Sequence, residues 1–86
     1  MHYVYIIRSL IDGTFYKGYT LDYIARLTAH NSGSSRYTSK KLPWELVYVE
    51  AFESKTVPLQ REKQLKRCNT QYLKWLLDQP SNILKK

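Results

Sequence analysis

A chain of 86 residues, 43% apolar and 24% charged, suffices for one globular domain with a thin core. One cysteine excludes an internal disulfide framework, two histidines far from it match no structural zinc spacing, and neither a signal peptide nor a membrane-length apolar run is visible, so the cytoplasm is the expected compartment. Fourteen Lys and Arg against seven Asp and Glu leave a net charge of +7, which attracts polyanions, nucleic acid first among them, although solubility or an acidic protein partner would account for the same total.

In chain order, Tyr3-Val4-Tyr5-Ile6-Ile7 is aromatic and β-branched and predicts a strand. Asp12-Gly13 signals a tight two-residue turn, so Phe15 to Tyr19 reads as the returning strand. In that register Tyr16 opposes Ser9, Gly18 opposes Ile7 and Thr20 opposes Tyr5. Tyr5 and Tyr16 then share a face, with Gly18 leaving an open slot between them. A register slip of one residue would break this placement. Thr20 is the predicted cap of a helix to about His30, with Asp22 in its first turn and Ile24 and Leu27 on its buried stripe. Asn31-Ser32-Gly33-Ser34-Ser35 ends that helix and opens a polar loop carrying Arg36, Lys40 and Lys41.

After Pro43 a third strand is expected over Glu45–Glu50, with Leu46, Tyr48 and Val47, Val49 filling both faces, which argues for the central place in the sheet. Thr56 caps a second helix that tolerates Pro58 in its first turn and buries Leu59 and Leu65. Asn69 or Thr70 caps a third, in which Tyr72, Leu73, Leu76 and Leu77 pack before Gln79-Pro80 stops it. The order β-β-α-β-α-α predicts a small α/β (α+β) fold over residues 1–80, a mainly antiparallel three-stranded sheet packed with helices, and a frayed tail over 81–86.

Four features bear on chemistry, and each has a plainer explanation. The eight tyrosines suit strands whatever they do. Arg26 and His30 share one helical face with Tyr23 close by, within reach of the hairpin; equally, Arg26 pairs with Asp22 and His30 is only a helix-end cation. Glu62 sets a carboxylate between Leu59 and Leu65, and burying it requires a cation opposite, either a metal ion or an arginine such as Arg26. Arg36, Lys40, Lys41, Arg61, Lys63, Lys66 and Arg67 form either a solvated surface or a set of phosphate contacts.

Tyr3-Val4-Tyr5 followed by Tyr16-Lys17-Gly18 resembles the paired motifs of the GIY-YIG nuclease family. Arg26 and His30 are placed as in that family's catalytic helix, and Glu62 matches its metal-binding glutamate. The runs His30-Asn31-Ser32-Gly33, Tyr37-Thr38, Pro43 to Tyr48 and Arg61-Glu62-Lys63 are similar to its small stand-alone bacterial branch, the UPF0213-like proteins, up to about Leu77. Tyr3 stands where the family name has glycine, Lys17 where it has isoleucine, and Tyr19 where some relatives carry lysine.

The resemblance implies a GIY-YIG-like fold and a divalent-metal-dependent endonuclease that hydrolyses phosphodiester bonds, in DNA rather than RNA, selecting structure over sequence, as in DNA repair or recombination. On that reading Glu62 holds one Mg²⁺ (or Mn²⁺) ion and Arg26 neutralises charge on the phosphate. Tyr5 or His30 deprotonates the attacking water and Tyr16 orients it, while Arg36, Lys40, Lys41, Lys63, Lys66 and Arg67 bind the nucleic acid. No membrane partner is implied, and the oligomeric state is left open. The alternative is a nucleic-acid-binding module on the same fold with little or no catalysis. An adaptor for an acidic protein would explain the charge but not Glu62 with Arg26.

Overall fold

The computed structural model describes residues 1–85. Strands β1 (His2–Ser9), β2 (Phe15–Thr20) and β3 (Trp44–Phe52) form one antiparallel sheet in the order β2-β1-β3. Helices α1 (Tyr23–Asn31), α2 (Thr56–Lys66) and α3 (Thr70–Leu76) and a 3₁₀ turn (Ile83–Lys85) complete the chain, in the expected β-β-α-β-α-α order.

The central strand is β1, not β3. Val4, Tyr5, Ile6 and Ile7 are all buried, because β1 is covered on both faces and paired along both edges. β3 is apolar on both faces for the first reason only. Its outer edge is closed by a side chain: Asn82 accepts from the Val49 amide at 3.1 Å and donates to the Val47 carbonyl at 3.0 Å. Those groups would otherwise be a template for a foreign strand. Asn82 is fully buried and Ile83 packs against the sheet, so fraying does not begin at Ser81. Lys86 lies outside the described residues.

The hairpin closes through a longer loop than Asp12-Gly13 suggested, spanning 10–14. Ser9 Oγ accepts from the amides of Ile11 and Asp12, Asp12 Oδ1 accepts from Thr14, and Gly13 takes the left-handed conformation at φ 76°. Side-chain oxygens thus satisfy the amides that a tighter turn would place in the ladder. Gly18 now faces Tyr5 directly and Tyr16 faces Ile7. The shift is even, so Tyr5, Tyr16 and Gly18 stay on one face.

A bulge leaves Val47 unpaired, since Ile6 pairs with Tyr48 and Ile7 with Leu46. It re-phases the strand, and strict alternation fails there. Val47 and Tyr48 join Val4 and Ile6 against Leu65, Leu73 and Leu76 of α2 and α3. Leu46, Val49 and Trp44 join Tyr5 and Ile7 on the other face, against Tyr23 and Leu27 of α1.

Asp22, not Thr20, caps α1: its carboxylate accepts from the Ala25 amide at 3.0 Å. The inward stripe is therefore Tyr23, Leu27 and His30, and Ile24 is left 60% exposed. Lys55 precedes α2 without a side-chain cap, and Thr56 is already helical. Pro58 and Leu65 are buried on α2 while Leu59 turns outward. Asn69 caps α3 by accepting from Tyr72, whose ring stays exposed while Leu73 and Leu76 are buried.

Candidate functional site

The site grows from the face shared by Tyr5, Tyr16 and Gly18. The Tyr5 ring crosses Gly18 so closely that a Cβ there would fall 2.5 Å from the phenol oxygen. Only glycine lets the ring lie flat across β2. The phenol oxygen sits 2.9 Å from His30 Nε2 and accepts from Arg26 Nε at 3.4 Å. Arg26 and His30 are one helical turn apart, so their shared face converges on one oxygen. The plainer pairing of Arg26 with Asp22 is not formed, because that carboxylate is occupied as the helix cap. His30 is fully buried, so it is no mere helix-end cation.

Behind His30, Nδ1 lies 2.8 Å from Thr38 Oγ1, and the Tyr16 ring meets the imidazole edge-on at 5.1 Å. The Thr38 carbonyl accepts from Trp44 Nε1 at 2.9 Å. Asn31 holds the Trp44 backbone from both sides, accepting its N–H at 2.6 Å and donating to its carbonyl at 3.0 Å. The segment after α1 is thereby pinned to the imidazole.

Burial raises the Tyr5 phenol above its ordinary 10.0, against the hydrogen bond and charge of Arg26. Glu62 adds to the rise, so its charge is felt at the phenol although α2 packs on the other face of the sheet. Burial, then the charge of Arg26, lowers His30 below its ordinary 6.5, leaving it neutral at pH 7. The bond to Tyr5 holds Arg26 firmly protonated. One consistent assignment follows: Arg26 donates to the phenol oxygen, the phenol donates to His30 Nε2, and His30 Nδ1–H donates to Thr38.

The description GIY-YIG catalytic domain fits residues 1–74 of this chain. The chain belongs to the GIY-YIG family. A UPF0213 protein of Halobacterium salinarum is 42% identical over 70 residues, covering 80% of this chain and 90% of its own. One from Staphylococcus saprophyticus is 39% identical over 71 residues, covering 81% and 85%. The solution NMR structure of a UPF0213 protein from Bacillus halodurans matches with a TM-score of 0.61 and 33% identity, over 98% of this chain and 89% of that one. These relatives extend to archaea, beyond the bacterial branch expected. The GIY-YIG catalytic domain is in general a nuclease domain. No helix among the described residues is long and apolar enough to cross a membrane.

In this GIY-YIG chain the Glu62 side chain is 20% exposed, and its nearest cation is Lys66 at 3.9 Å, not Arg26. Among the described residues no group of three or more His, Cys, Asp or Glu comes together. A lone carboxylate suits Mg²⁺, which keeps much of its water and takes phosphate oxygens for the rest.

The basic residues separate into two kinds. Arg61 is half-buried and donates to Glu50 at 3.1 Å, while Tyr48 donates to the same carboxylate at 2.7 Å. That removes Arg61 from the phosphate-contact set. Lys41 ties the segment before β3 to the hairpin loop through Asp12 at 3.0 Å and Thr14 at 3.2 Å. Arg36, Lys40, Lys63 and Arg67 are exposed and make no ion pair among the described residues. Thr38, Trp44 and Asn31 were not legible as site residues, since nothing in local periodicity shows that Thr38 returns beneath His30.

Proposed function

We propose that this GIY-YIG protein is a divalent-metal-dependent endonuclease that hydrolyses phosphodiester bonds in DNA, selecting structure over sequence. The observation that carries the reading is the convergence of Arg26 and His30 on the Tyr5 phenol, with Tyr16 against the imidazole. Glu62 would hold the ion. A Mg²⁺ ion bound there supplies positive charge to the phosphate and the leaving oxygen. Arg26, exposed and permanently charged, neutralises charge developing on the phosphate.

Between the two candidate bases, the hydrogen bonds favour Tyr5, whose phenol oxygen meets Arg26 while His30 lies behind it. Both imidazole nitrogens of His30 are engaged inside the protein, so His30 acts through the phenol. The phenol passes its proton along this hydrogen bond to Nε2 of neutral His30 as it takes one from the attacking water. Tyr16 orients the water or the phosphate. Arg36, Lys40, Lys63 and Arg67 contact the backbone of the nucleic acid.

Plasmid, branched, single-stranded and RNA substrates, each with Mg²⁺ and with EDTA, test the reading. Cleavage of DNA that needs the metal and is lost in Glu62→Ala is the expected result. Cleavage of no substrate, or unchanged cleavage by Glu62→Ala, overturns it. A binding module without catalysis is favoured by the burial of Tyr5, only 2% exposed, which limits the access of water to the phenol. Salt-sensitive binding with no metal-dependent cleavage would select that reading.

A further inference from the structure

Tyr37 is 86% exposed, the most exposed of the large hydrophobic side chains. Its neighbour in sequence, Thr38, is fully buried and bonded to His30 through its hydroxyl and to Trp44 through its carbonyl. The backbone that carries Tyr37 is therefore anchored from below while the ring projects outward. Its centroid lies 6.5 Å from that of Tyr16 at 45°, and the two rings with Phe15, Lys17 and Lys66 line a groove of about 350 Å³. The groove leads into the candidate site at two points. Tyr16 touches His30, and Lys66 is the cation nearest Glu62.

Aromatic rings flanked by ammonium groups match one ligand chemistry well: a flat base attached to a phosphate. A base inside a duplex has both faces covered by its neighbours, so only an unpaired one offers a face to a protein ring. Lysines without a planar fork hold phosphate as point charges and impose no base identity.

We infer that this groove receives an unpaired base of DNA stacked on Tyr37, next to the phosphodiester at the Tyr5 and Glu62 site. The substrate is then a duplex with a single-stranded overhang, flap or junction, and Tyr37 is the residue that selects it. The inference rests on the nuclease reading for the site beside the groove, but the groove can be tested without catalysis.

The test is binding in EDTA, measured by fluorescence anisotropy, of a blunt DNA duplex and of the same duplex with a short overhang carrying 2-aminopurine. The wild-type protein should bind the overhang roughly tenfold tighter and quench the 2-aminopurine on stacking. Tyr37→Phe should keep both effects. Tyr37→Leu should lose both, with its melting temperature unchanged because the ring is exposed. Equal affinity for blunt and overhanging DNA, or a preference that survives Tyr37→Leu, overturns the inference. Metal-dependent cleavage with no overhang preference would leave the nuclease reading standing and remove this one. Overhang stacking that needs Tyr37, in a protein that cuts nothing, would do the reverse.

Discussion

Two glycines of this chain serve opposite needs. Gly18 allows the Tyr5 ring to cross β2, and a methyl there would collide with the phenol at 2.5 Å. Gly18→Ala should destabilise the fold by about 1–3 kcal/mol through overpacking and displace Tyr5 from His30. It is expected to lower the denaturation midpoint and cleavage together. Gly13 sits at φ 76° in open space, so Gly13→Ala should cost only about 1 kcal/mol of backbone strain and leave cleavage intact. The buried pair Tyr5 and His30 sets a pH dependence. His30 is depressed when folded, so below about its ordinary 6.5 the unfolded chain binds the extra proton and stability falls with pH until the folded value is passed. Tyr5 is raised, so above about its ordinary 10.0 the unfolded chain loses its proton first and stability falls again. Urea midpoints across pH 5 to 11 should show a plateau between these limits. His30→Gln should abolish the acid-side fall attributable to the imidazole. An acid limb unchanged in that variant would place its origin elsewhere.

Among the elements, β3 depends on two side chains outside the sheet, Asn31 at its first residue and Asn82 at its middle. Asn82 supplies the bonds that a fourth strand would make to Val49 and Val47, and it also donates to the Leu77 carbonyl at 2.9 Å. Asn82→Ala should cost about 2 kcal/mol or more, since buried polar groups lose their partners. It should also uncover a pairing edge. Thermal melting would read the first effect and size-exclusion chromatography the second, as self-association absent from the wild type. The segment between α1 and β3 is bound at Asn31, Thr38 and Lys41. Thr38→Val keeps the shape but leaves His30 Nδ1 without its partner. The expected result is lower cleavage with a changed pH profile, and a melting temperature lowered by several degrees.

The whole molecule carries +7, and part of that surplus is internally committed. Arg8 pairs with Glu45, Lys41 with Asp12 and Arg61 with Glu50, at 2.6, 3.0 and 3.1 Å. Arg36, Lys40, Lys63 and Arg67 are exposed and make no ion pair among the described residues. If about three of them meet phosphates, raising salt from 50 to 200 mM should weaken DNA binding roughly fortyfold. Lys63→Glu with Arg67→Glu should flatten the slope of log affinity against log salt, whereas Arg61→Gln should act on stability through Glu50 and leave the slope alone. An unchanged slope in the double variant would show that α2 does not meet the backbone.

The elements, their order and the pairing of Tyr5 with Tyr16 on one face could all be read from the chain. Those features follow from local patterns: period-two strands, helical spacing, and an even shift of register that preserves faces. Arg26 and His30 were legible for the same reason, since helical spacing alone puts them on one side. The family motifs connected these residues to Glu62 across distances that periodicity does not span. Only the tertiary structure decided the centre of the sheet, because two-sided burial of β3 comes from layers and an edge cap contributed by distant Asn82. It alone revealed the bulge that turns Trp44 toward the site, and the return of Thr38 beneath His30. Contacts between residues far apart in the chain depend on packing of the whole, and no local window holds that information.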